Sequence, residues 1–246
     1  MKQKQLDVSL VLPCYNEAGL FADSVKRISR VLDLAKLSYE IIFVDDVSTD
    51  STATLIGKTL KKHPNYVAIF HAENRGRGRT VADGFRKACG DVVGYMDIDC
   101  EVAPDYIPRM VQIISSKQAD VVIGRRIYRT SAGSVIREIL SRGYQWLSDL
   151  LIGTGGLDTE TGYKFFNRKK ILPILGKPTH NGWFWDTEIM VFSRMAGLRI
   201  EEIPVLFIRR FDKHSSVNIF RDTWDYLVNL LRFRNKLSRT GRHLGV

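Results

Sequence analysis

Two aspartates one residue apart, Asp97 and Asp99, directly follow a short apolar run that ends at Met96. Glu101 continues the same alternation. On a pleated strand, residues two apart point to the same side, so this spacing predicts three carboxylates on one face. Carboxylates that repel one another are stabilised by a divalent cation, which accepts oxygen ligands. The pattern therefore predicts a metal site, with an ordinary acidic loop between a strand and a helix as the alternative.

The composition is that of a globular chain with a sizeable core, because 44% of its 246 residues are hydrophobic and 26% are charged. The sequence contains no run of eighteen apolar residues and no secretory signal at its charged start, so neither a membrane span nor export is predicted. Three cysteines without CxxC spacing predict reduced thiols and a cytoplasmic protein.

The net charge of +10 calls for an anionic partner, such as a phosphorylated substrate, an anionic membrane surface or nucleic acid. The basic residues form two clusters: Arg125, Arg126, Arg129, Arg137 and Arg142, then Arg232, Arg234, Lys236, Arg239 and Arg242. The glycines of the 74–78 loop do not have the spacing of a dinucleotide fingerprint, and the chain lacks a Gly-Lys-Ser/Thr phosphate loop. A dehydrogenase and a P-loop ATPase are both disfavoured.

The first half alternates four times between strand and helix. Strands are predicted at 8–12, 40–44, 66–70 and 92–96, and helices at about 18–37, 52–60, 80–89 and 104–116. This order predicts an α/β fold, with a mostly parallel sheet flanked by helices. Ligands of such sheets lie beyond the carboxyl ends of the strands. The segments 13–17, 45–46, 74–78 and 97–99 all follow strand ends, so four polar clusters are expected to converge at one edge.

The second half is less regular. Its elements are predicted as a strand at 119–123, a helix at 134–152, a strand that follows the 158–162 loop, a helix at 184–196, a strand at 199–208 interrupted by Pro204 and a helix at 219–234. The last helix carries an apolar stripe of Tyr226, Leu227, Leu230, Leu231 and Phe233. That stripe suits either a core contact or a headgroup layer.

Several motifs, in this order, resemble the inverting glycosyltransferases with the GT-A fold. They are VLPCYNE (11–17), VDDVSTD (44–50) and MDID (96–99). Three later motifs are similar to dolichol-phosphate mannose synthase and its bacterial polyprenyl-phosphate relatives: VIGRR (122–126), Asp158 with TGYK (161–164), and AGLRIEEIPV (196–205). The resemblance implies a Rossmann-like single domain over 1–234, with a nucleotide-sugar half at about 1–125, an acceptor half at about 126–234, and a basic tail at 235–246.

The same resemblance assigns residues to roles. For the nucleotide sugar it implies Pro13, Tyr15, Glu17, Asp45, Asp46, Asp97 and Arg210; for Mg²⁺ or Mn²⁺, Asp97, Asp99 and Glu101; for the acceptor phosphate, Arg126 or Arg125 with Arg137 and Ser141. Of these, Asp97, Asp99, Arg126 and Arg137 are the expected catalytic residues. The chain departs from the family at Glu101, where relatives often have glutamine, and at Lys213 and Ser216 in a loop that, with Arg210 and Ser215, would close over the donor.

The implied reaction is metal-dependent, inverting transfer of a sugar from GDP-mannose or a UDP-hexose to a polyprenyl or dolichyl phosphate. The enzyme is expected to be peripheral on the inner face of the cytoplasmic membrane. A phosphate acceptor is ionised and needs no general base, whereas an alcohol acceptor would need one, with Asp186 or Glu188 as candidates. The alternatives are transfer to a soluble or cell-wall glycan and, more distantly, nucleic-acid binding, for which stacking aromatics and a recognition helix are missing.

Overall fold

The strands form one central sheet within residues 5–128, 143, 145–209 and 219–239, which are the residues that the computed structural model describes. They are β1 (Val8–Cys14), β2 (Tyr39–Asp45), β3 (Tyr66–Phe70), β4 (Val92–Met96), β5 (Val121–Tyr128), β6 (Tyr163–Asn167) and β7 (Ile200–Phe207). Their order across the sheet is β3-β2-β1-β4-β6-β5-β7. Only β6 runs antiparallel to its neighbours among these strands, so the predicted mostly parallel α/β sheet is confirmed.

Helices cover both faces of the sheet. They are α1 (Ala18–Leu34), α2 (Thr52–Leu60), α3 (Arg77–Lys87), α4 (Ile107–Ser115, after a 3₁₀ turn at Pro104–Tyr106), α5 (145–152), α6 (Arg168–Ile171, before a 3₁₀ turn at Leu172–Ile174), α7 (Trp185–Met195) and α8 (Ile219–Arg239). Most of the predicted helix at 134–152 lies outside the described residues.

Two apolar layers hold the sheet between these helices. Leu10 packs with Ile28 of α1 and Met110 of α4 on one face, and Val11 packs with Phe85 of α3 and Met190 of α7 on the other. Strands buried on both faces need apolar side chains at successive positions, which explains the continuous apolar runs in β1 and β2. Strands from both predicted halves of the chain, about 1–125 and 126–234, belong to this one sheet.

Two strands, β5 and β7, depart most from their predictions. β5 continues to Tyr128 instead of ending at Ile123, because β7 pairs with it over its whole length. Pro204 does not interrupt β7. β7 is the last strand at one side of the described sheet, and an edge strand can turn the missing proline N–H away from its neighbour.

Two residues of the apolar stripe of helix α8 pack on the core, whereas Leu231 in the same stripe is 43% exposed. Leu230 and Phe233 are buried, and the Phe233 ring lies 5.9 Å from Phe184 and 5.6 Å from Phe192. The helix also extends to Arg239, five residues beyond its predicted end, so the segment after 234 does not begin as an irregular tail. Within the described residues, no helix combines the length and hydropathy that crossing a bilayer requires.

Asp120 ties together the starts of β5, β7 and α6, and this supports a stability prediction. Its carboxylate accepts hydrogen bonds from Arg199 Nη2 (3.0 Å) and Nε (3.2 Å) and from Lys170 Nζ (2.8 Å). The Arg199 hydrogen bonds, together with Lys170, hold the pKa of Asp120 below its usual value, although desolvation opposes them.

Asp120→Asn is expected to lower the free energy of unfolding at pH 7 by about 1 kcal/mol, since both basic partners are half-exposed and screened. A depressed folded-state pKa contributes stability above the unfolded-state value of about 3.9, and this contribution disappears as the pH falls through the folded-state pKa. In urea titrations between pH 7 and 3, the stability difference between the two proteins should therefore begin to shrink below about pH 4. A difference that stays constant with pH would contradict this assignment.

Candidate active site

The loops after β1 and β2 are joined at the carboxyl edge of the sheet. Asn16 Oδ1 accepts a hydrogen bond from Thr49 N (2.7 Å), and Asn16 N donates to Ser48 Oγ (2.9 Å). Glu17 N donates to Thr52 Oγ1 (2.8 Å), which links the start of α1 to the start of α2. These bonds fix the backbone on both sides of Tyr15, whose ring is 52% exposed.

The two adjacent aspartates at the end of β2 stabilise different segments. Asp45 holds its own turn, because its carboxylate accepts bonds from Ser48 Oγ (2.5 Å) and Ser48 N (3.1 Å). Asp46 holds the loop before α3, accepting from Arg75 N (2.8 Å) and Gly76 N (2.9 Å) and contacting His71 Nδ1 (2.7 Å). Asp46 thus fixes the backbone of the loop that precedes α3. Its direct contact with a nucleotide sugar stays a prediction.

Three of the five non-glycine residues with positive φ in the described part of the chain lie at the same edge. Asn16, Val47 and Cys100 have φ angles of 57°, 65° and 54°, while Lys36 and Lys117 follow helices α1 and α4. This left-handed region is unfavourable for residues with a side chain, and most of all for a β-branched one such as Val47. Such strain persists where the surroundings fix it and concentrates at functional sites. Asn16, Val47 and Cys100 follow β1, β2 and β4, which is consistent with a functional site at this edge.

The acids after β4 lie on a turn and not on a continued strand. β4 ends at Met96, and the chain turns at residues 98–99. Among the residues that the structure describes, no three His, Cys, Asp or Glu side chains converge to hold a metal, so the predicted three-carboxylate cluster is not formed. The turn ends the strand alternation on which that prediction depended, and Asp99 Oδ1 instead accepts a bond from Glu101 N (3.2 Å).

Asp97 is held by an arginine that the sequence reasoning missed. Asp97 Oδ1 accepts bonds from Arg77 Nη2 (2.6 Å) and Nε (3.0 Å). Burial raises the pKa of the Asp97 carboxyl, and the Arg77 charge opposes that shift. One signal was available, since Arg77 stands between two glycines at the start of a helix, where the helix dipole disfavours a positive charge.

The same arginine extends the site to α7. Arg77 Nη1 donates to Asp186 Oδ2 (2.5 Å), and Lys164 Nζ of β6 lies 3.1 Å from Asp186 Oδ1. The Tyr95 hydroxyl also donates to Asp186 Oδ1. Lys164 and Asp186 are 0% and 1% exposed, and burial lowers the pKa of Lys164 while Asp186 opposes that shift. Buried charges are stable only with such partners, so these side chains depend on one another for their burial.

Gly162, at the entrance to β6, lies against this network. A Cβ atom built there would sit 2.0 Å from Asp97 Oδ2 and 2.6 Å from Arg77 Nη2. Even the smallest side chain would therefore displace the carboxylate of Asp97, which explains the glycine in this position.

The two neighbouring arginines of β5 have different surroundings. Arg126 forms a fork with buried Asp158, through Nε (2.9 Å) and Nη2 (2.7 Å), and Nη2 also reaches Glu160 (3.3 Å). Burial raises the pKa of Glu160, and the Arg126 charge opposes the shift. Arg125 points to the other side of the strand and is exposed. Of the two, Arg125 offers the accessible guanidinium.

Other expected site residues are placed differently or lie outside the described part of the chain. Glu188 is not available as a base, because its carboxylate accepts bonds from Thr179 N, His180 N and Thr179 Oγ1. Pro13 lies in β1. The residues outside the described ranges are Arg137, Ser141, Arg210, Lys213, Ser215 and Ser216.

The donor set at this edge fits a divalent cation that a phosphorylated ligand also coordinates. Mg²⁺ is usually held by one or two carboxylates together with phosphate oxygens and water. Asp97 and Asp99 supply two such carboxylates at the end of β4, and both are partly exposed. The residues present are therefore consistent with Mg²⁺ or Mn²⁺ bound jointly with a diphosphate.

Among the described strands, six run parallel and β6 runs antiparallel, and acids lie at the ends of β2 and β4. This arrangement is that of an α/β protein of the GT-A class. The sequence profile of glycosyl transferase family 2 matches residues 9–174. The chain belongs to this family.

Curated relatives agree with that assignment. Glycosyltransferase AglD of Haloferax volcanii is 29% identical over 232 residues, which cover 92% of this chain and 37% of the relative. The dolichyl-phosphate beta-glucosyltransferase of Saccharomyces cerevisiae is 28% identical over 223 residues, covering 82% of this chain and 67% of the relative. The chain thus spans a little over a third of AglD and about two thirds of the yeast protein.

A solved structure confirms the fold. The mannosyltransferase PcManGT from Pyrobaculum calidifontis, in complex with GDP-Man and Mn²⁺, superposes with a TM-score of 0.67 at 19% identity. The match covers 95% of this chain and 65% of that one.

Proposed function

We propose that this chain transfers a hexose from a nucleotide sugar to a polyprenyl phosphate, with inversion at the anomeric carbon and with Mg²⁺ or Mn²⁺. The observation that carries the proposal is the convergence of Asp45, Asp97 and Asp99 at the carboxyl edge, next to the buried charges of Arg77 and Lys164. Family membership and the yeast dolichyl-phosphate glucosyltransferase support the reaction class. The GDP-Man and Mn²⁺ in PcManGT support the donor and the cation.

The donor is proposed to lie across the ends of β1, β2 and β4. The exposed Tyr15 side chain offers a surface for the nucleobase. Asp45 is buried and held by Ser48, so its proposed hydrogen bonds from base or ribose groups would use the lone pairs that Ser48 leaves free. Asp97 and Asp99 would hold the cation against the diphosphate. When bound, the cation supplies charge neutralisation for the leaving nucleoside diphosphate.

A phosphate acceptor is proposed because the two candidate bases, Asp186 and Glu188, already accept hydrogen bonds from other groups of the protein. Asp186 is engaged by Arg77, Lys164 and Tyr95, and Glu188 by the 179–180 backbone. An alcohol acceptor needs a carboxylate that can take its proton. A phosphate is ionised at neutral pH and needs none, so the geometry favours it over a glycan hydroxyl.

Arg125 is the proposed phosphate ligand on β5, since the fork of Arg126 already binds Asp158. Arg125→Met is expected to raise the KM for polyprenyl phosphate about tenfold and to leave the KM for the nucleotide sugar unchanged, because a charge-assisted hydrogen bond to the acceptor is lost. Initial rates with each substrate varied in turn measure this. An equal rise in both KM values would count against an acceptor role.

The proposed activity itself is tested by incubating the purified chain with Mn²⁺, radiolabelled GDP-mannose or UDP-glucose, and polyprenyl phosphate in detergent. The expected product is a lipid-linked hexose whose anomeric configuration is opposite to that of the donor, and chelation of the cation should abolish it. Parallel reactions contain a soluble oligosaccharide in place of the lipid. Label in the oligosaccharide alone would overturn the acceptor assignment, and no label in either would overturn the transferase assignment.

The acceptor is a lipid, so the chain is proposed to work at the inner membrane surface as a peripheral protein. Exposed apolar side chains at the carboxyl ends of β5 and β7 (Ile127, Leu206 and Ile208), together with the net charge of +10, suit an anionic bilayer. Co-sedimentation with anionic vesicles at low salt, and its loss with neutral vesicles, is the expected behaviour.

A further inference from the structure

Arg77 donates hydrogen bonds to Asp97, one of the two carboxylates proposed to hold the cation. Two of its N–H groups bond Asp97 Oδ1, and a third bonds Asp186 Oδ2. Its side chain is only 10% exposed. The guanidinium therefore acts as an internal cation between two acids that come from different elements, the turn after β4 and helix α7.

The surrounding fold holds this arginine in place. Its guanidinium carbon lies 4.5 Å from the centroid of the Trp183 ring and 5.4 Å from that of Tyr95. On either side, Cβ atoms built at Gly76 and Gly78 would lie 2.7 Å from Asn181 O and 2.2 Å from Trp185 Cβ. The start of α3 is thus packed directly on the 181–185 segment, and Arg77 has little room to leave Asp97.

We propose that Arg77 is the resident counter-ion of Asp97 and that it weakens binding of divalent cations to the nucleotide-free protein. A positive charge 2.6 Å from the carboxylate repels a second cation and takes up the lone pairs of Oδ1. A bound diphosphate supplies new negative oxygens that can attract both cations at once. Cation binding consequently depends on the nucleotide, an inference that rests on the proposed function of this edge.

The test is Mn²⁺ binding, measured from the electron paramagnetic resonance signal of free Mn²⁺ with and without UDP or GDP. Without nucleotide, Arg77→Met should bind Mn²⁺ about tenfold more tightly than the wild type, because a repelling charge is removed. Asp186→Asn should bind it several-fold more weakly, since Arg77 and Lys164 then face one acid fewer. A purely structural role for these residues would weaken binding in both variants.

Arg79→Met is the matched control, because Arg79 lies on the same helix and pairs with Asp83 at 3.2 Å. It should bind Mn²⁺ as the wild type does. Circular dichroism establishes whether each variant is folded. If Arg77→Met does not fold, the inference is tested by whether Asp186→Asn weakens or strengthens Mn²⁺ binding. Unchanged or weaker binding in folded Arg77→Met, or tighter binding in Asp186→Asn, overturns the inference alone. Absence of Mn²⁺ binding to the wild type with either nucleotide overturns it together with the proposed function.

Discussion

Replacing Asp97 by Asn is expected to lower kcat for sugar transfer about 100- to 1,000-fold while the protein stays folded. The substitution removes one of two carboxylates proposed to hold the cation, so less charge on the leaving diphosphate is neutralised. Asparagine keeps the size of the side chain and can still accept a bond from Arg77. Steady-state kinetics with saturating substrates measure the effect. The matched control is Asp105→Asn, a nearby aspartate that is 65% exposed and pairs with an exposed arginine, Arg27.

Gly162→Ala tests the position of the same carboxylate without changing its charge. The added methyl group would occupy the space of Asp97 Oδ2, so a loss of activity comparable to that of Asp97→Asn is expected. Gly57→Ala is its control, because a Cβ atom there meets nothing within 4 Å. Activity within threefold of the wild type in both Asp97→Asn and Gly162→Ala would remove Asp97 from the proposed mechanism.

The largest expected effect on stability comes from Arg126→Met. This substitution leaves Asp158, which is 2% exposed, without its two guanidinium hydrogen bonds. Breaking a buried pair by removing one partner leaves an uncompensated charge and costs about 3 kcal/mol of unfolding free energy. Urea denaturation followed by circular dichroism measures it.

The adjacent arginine supplies the comparison for this effect. Arg125→Met, on the exposed side of the same strand, should change stability by less than about 0.5 kcal/mol. Arg126→Met combined with Asp158→Asn should regain part of the loss, because the unpaired charge is then absent. Equal destabilisation by Arg125→Met and Arg126→Met would show that the fork with Asp158 contributes little.

Much of the fold could be predicted because its signals are local. β3 has the bounds that its apolar residues predict, and the predicted ends of β1 and β2 differ from the observed ones by no more than two residues. The strand–helix alternation then implies parallel strands, and parallel strands place the polar segments after each strand on the same edge. Asp45, Asp97 and Asp99 are found at that edge for this reason.

The errors arose where a neighbour in space overrides the local pattern. Pro204 predicts a break, yet β7 continues because its edge position tolerates the missing N–H. Asp97, Asp99 and Glu101 alternate as a strand would, yet the chain turns at 98–99, and among the described residues the three carboxylates do not form one metal-binding group. The sequence leaves open what the stripe of α8 covers, and the contacts of Phe233 with Phe184 and Phe192 show that part of it packs on the core.

Periodicity and residues close together in the chain were enough to predict the α/β class, the sheet edge that carries the candidate site and the acids at that edge. Which charges meet depends on the packing of segments that are distant in the sequence. Arg77 and Asp186 are 109 residues apart, and Lys164 on the antiparallel strand β6 lies 3.1 Å from Asp186. Long-range pairs of this kind leave no periodic trace, because they depend on how whole elements pack and not on the spacing of residues within one.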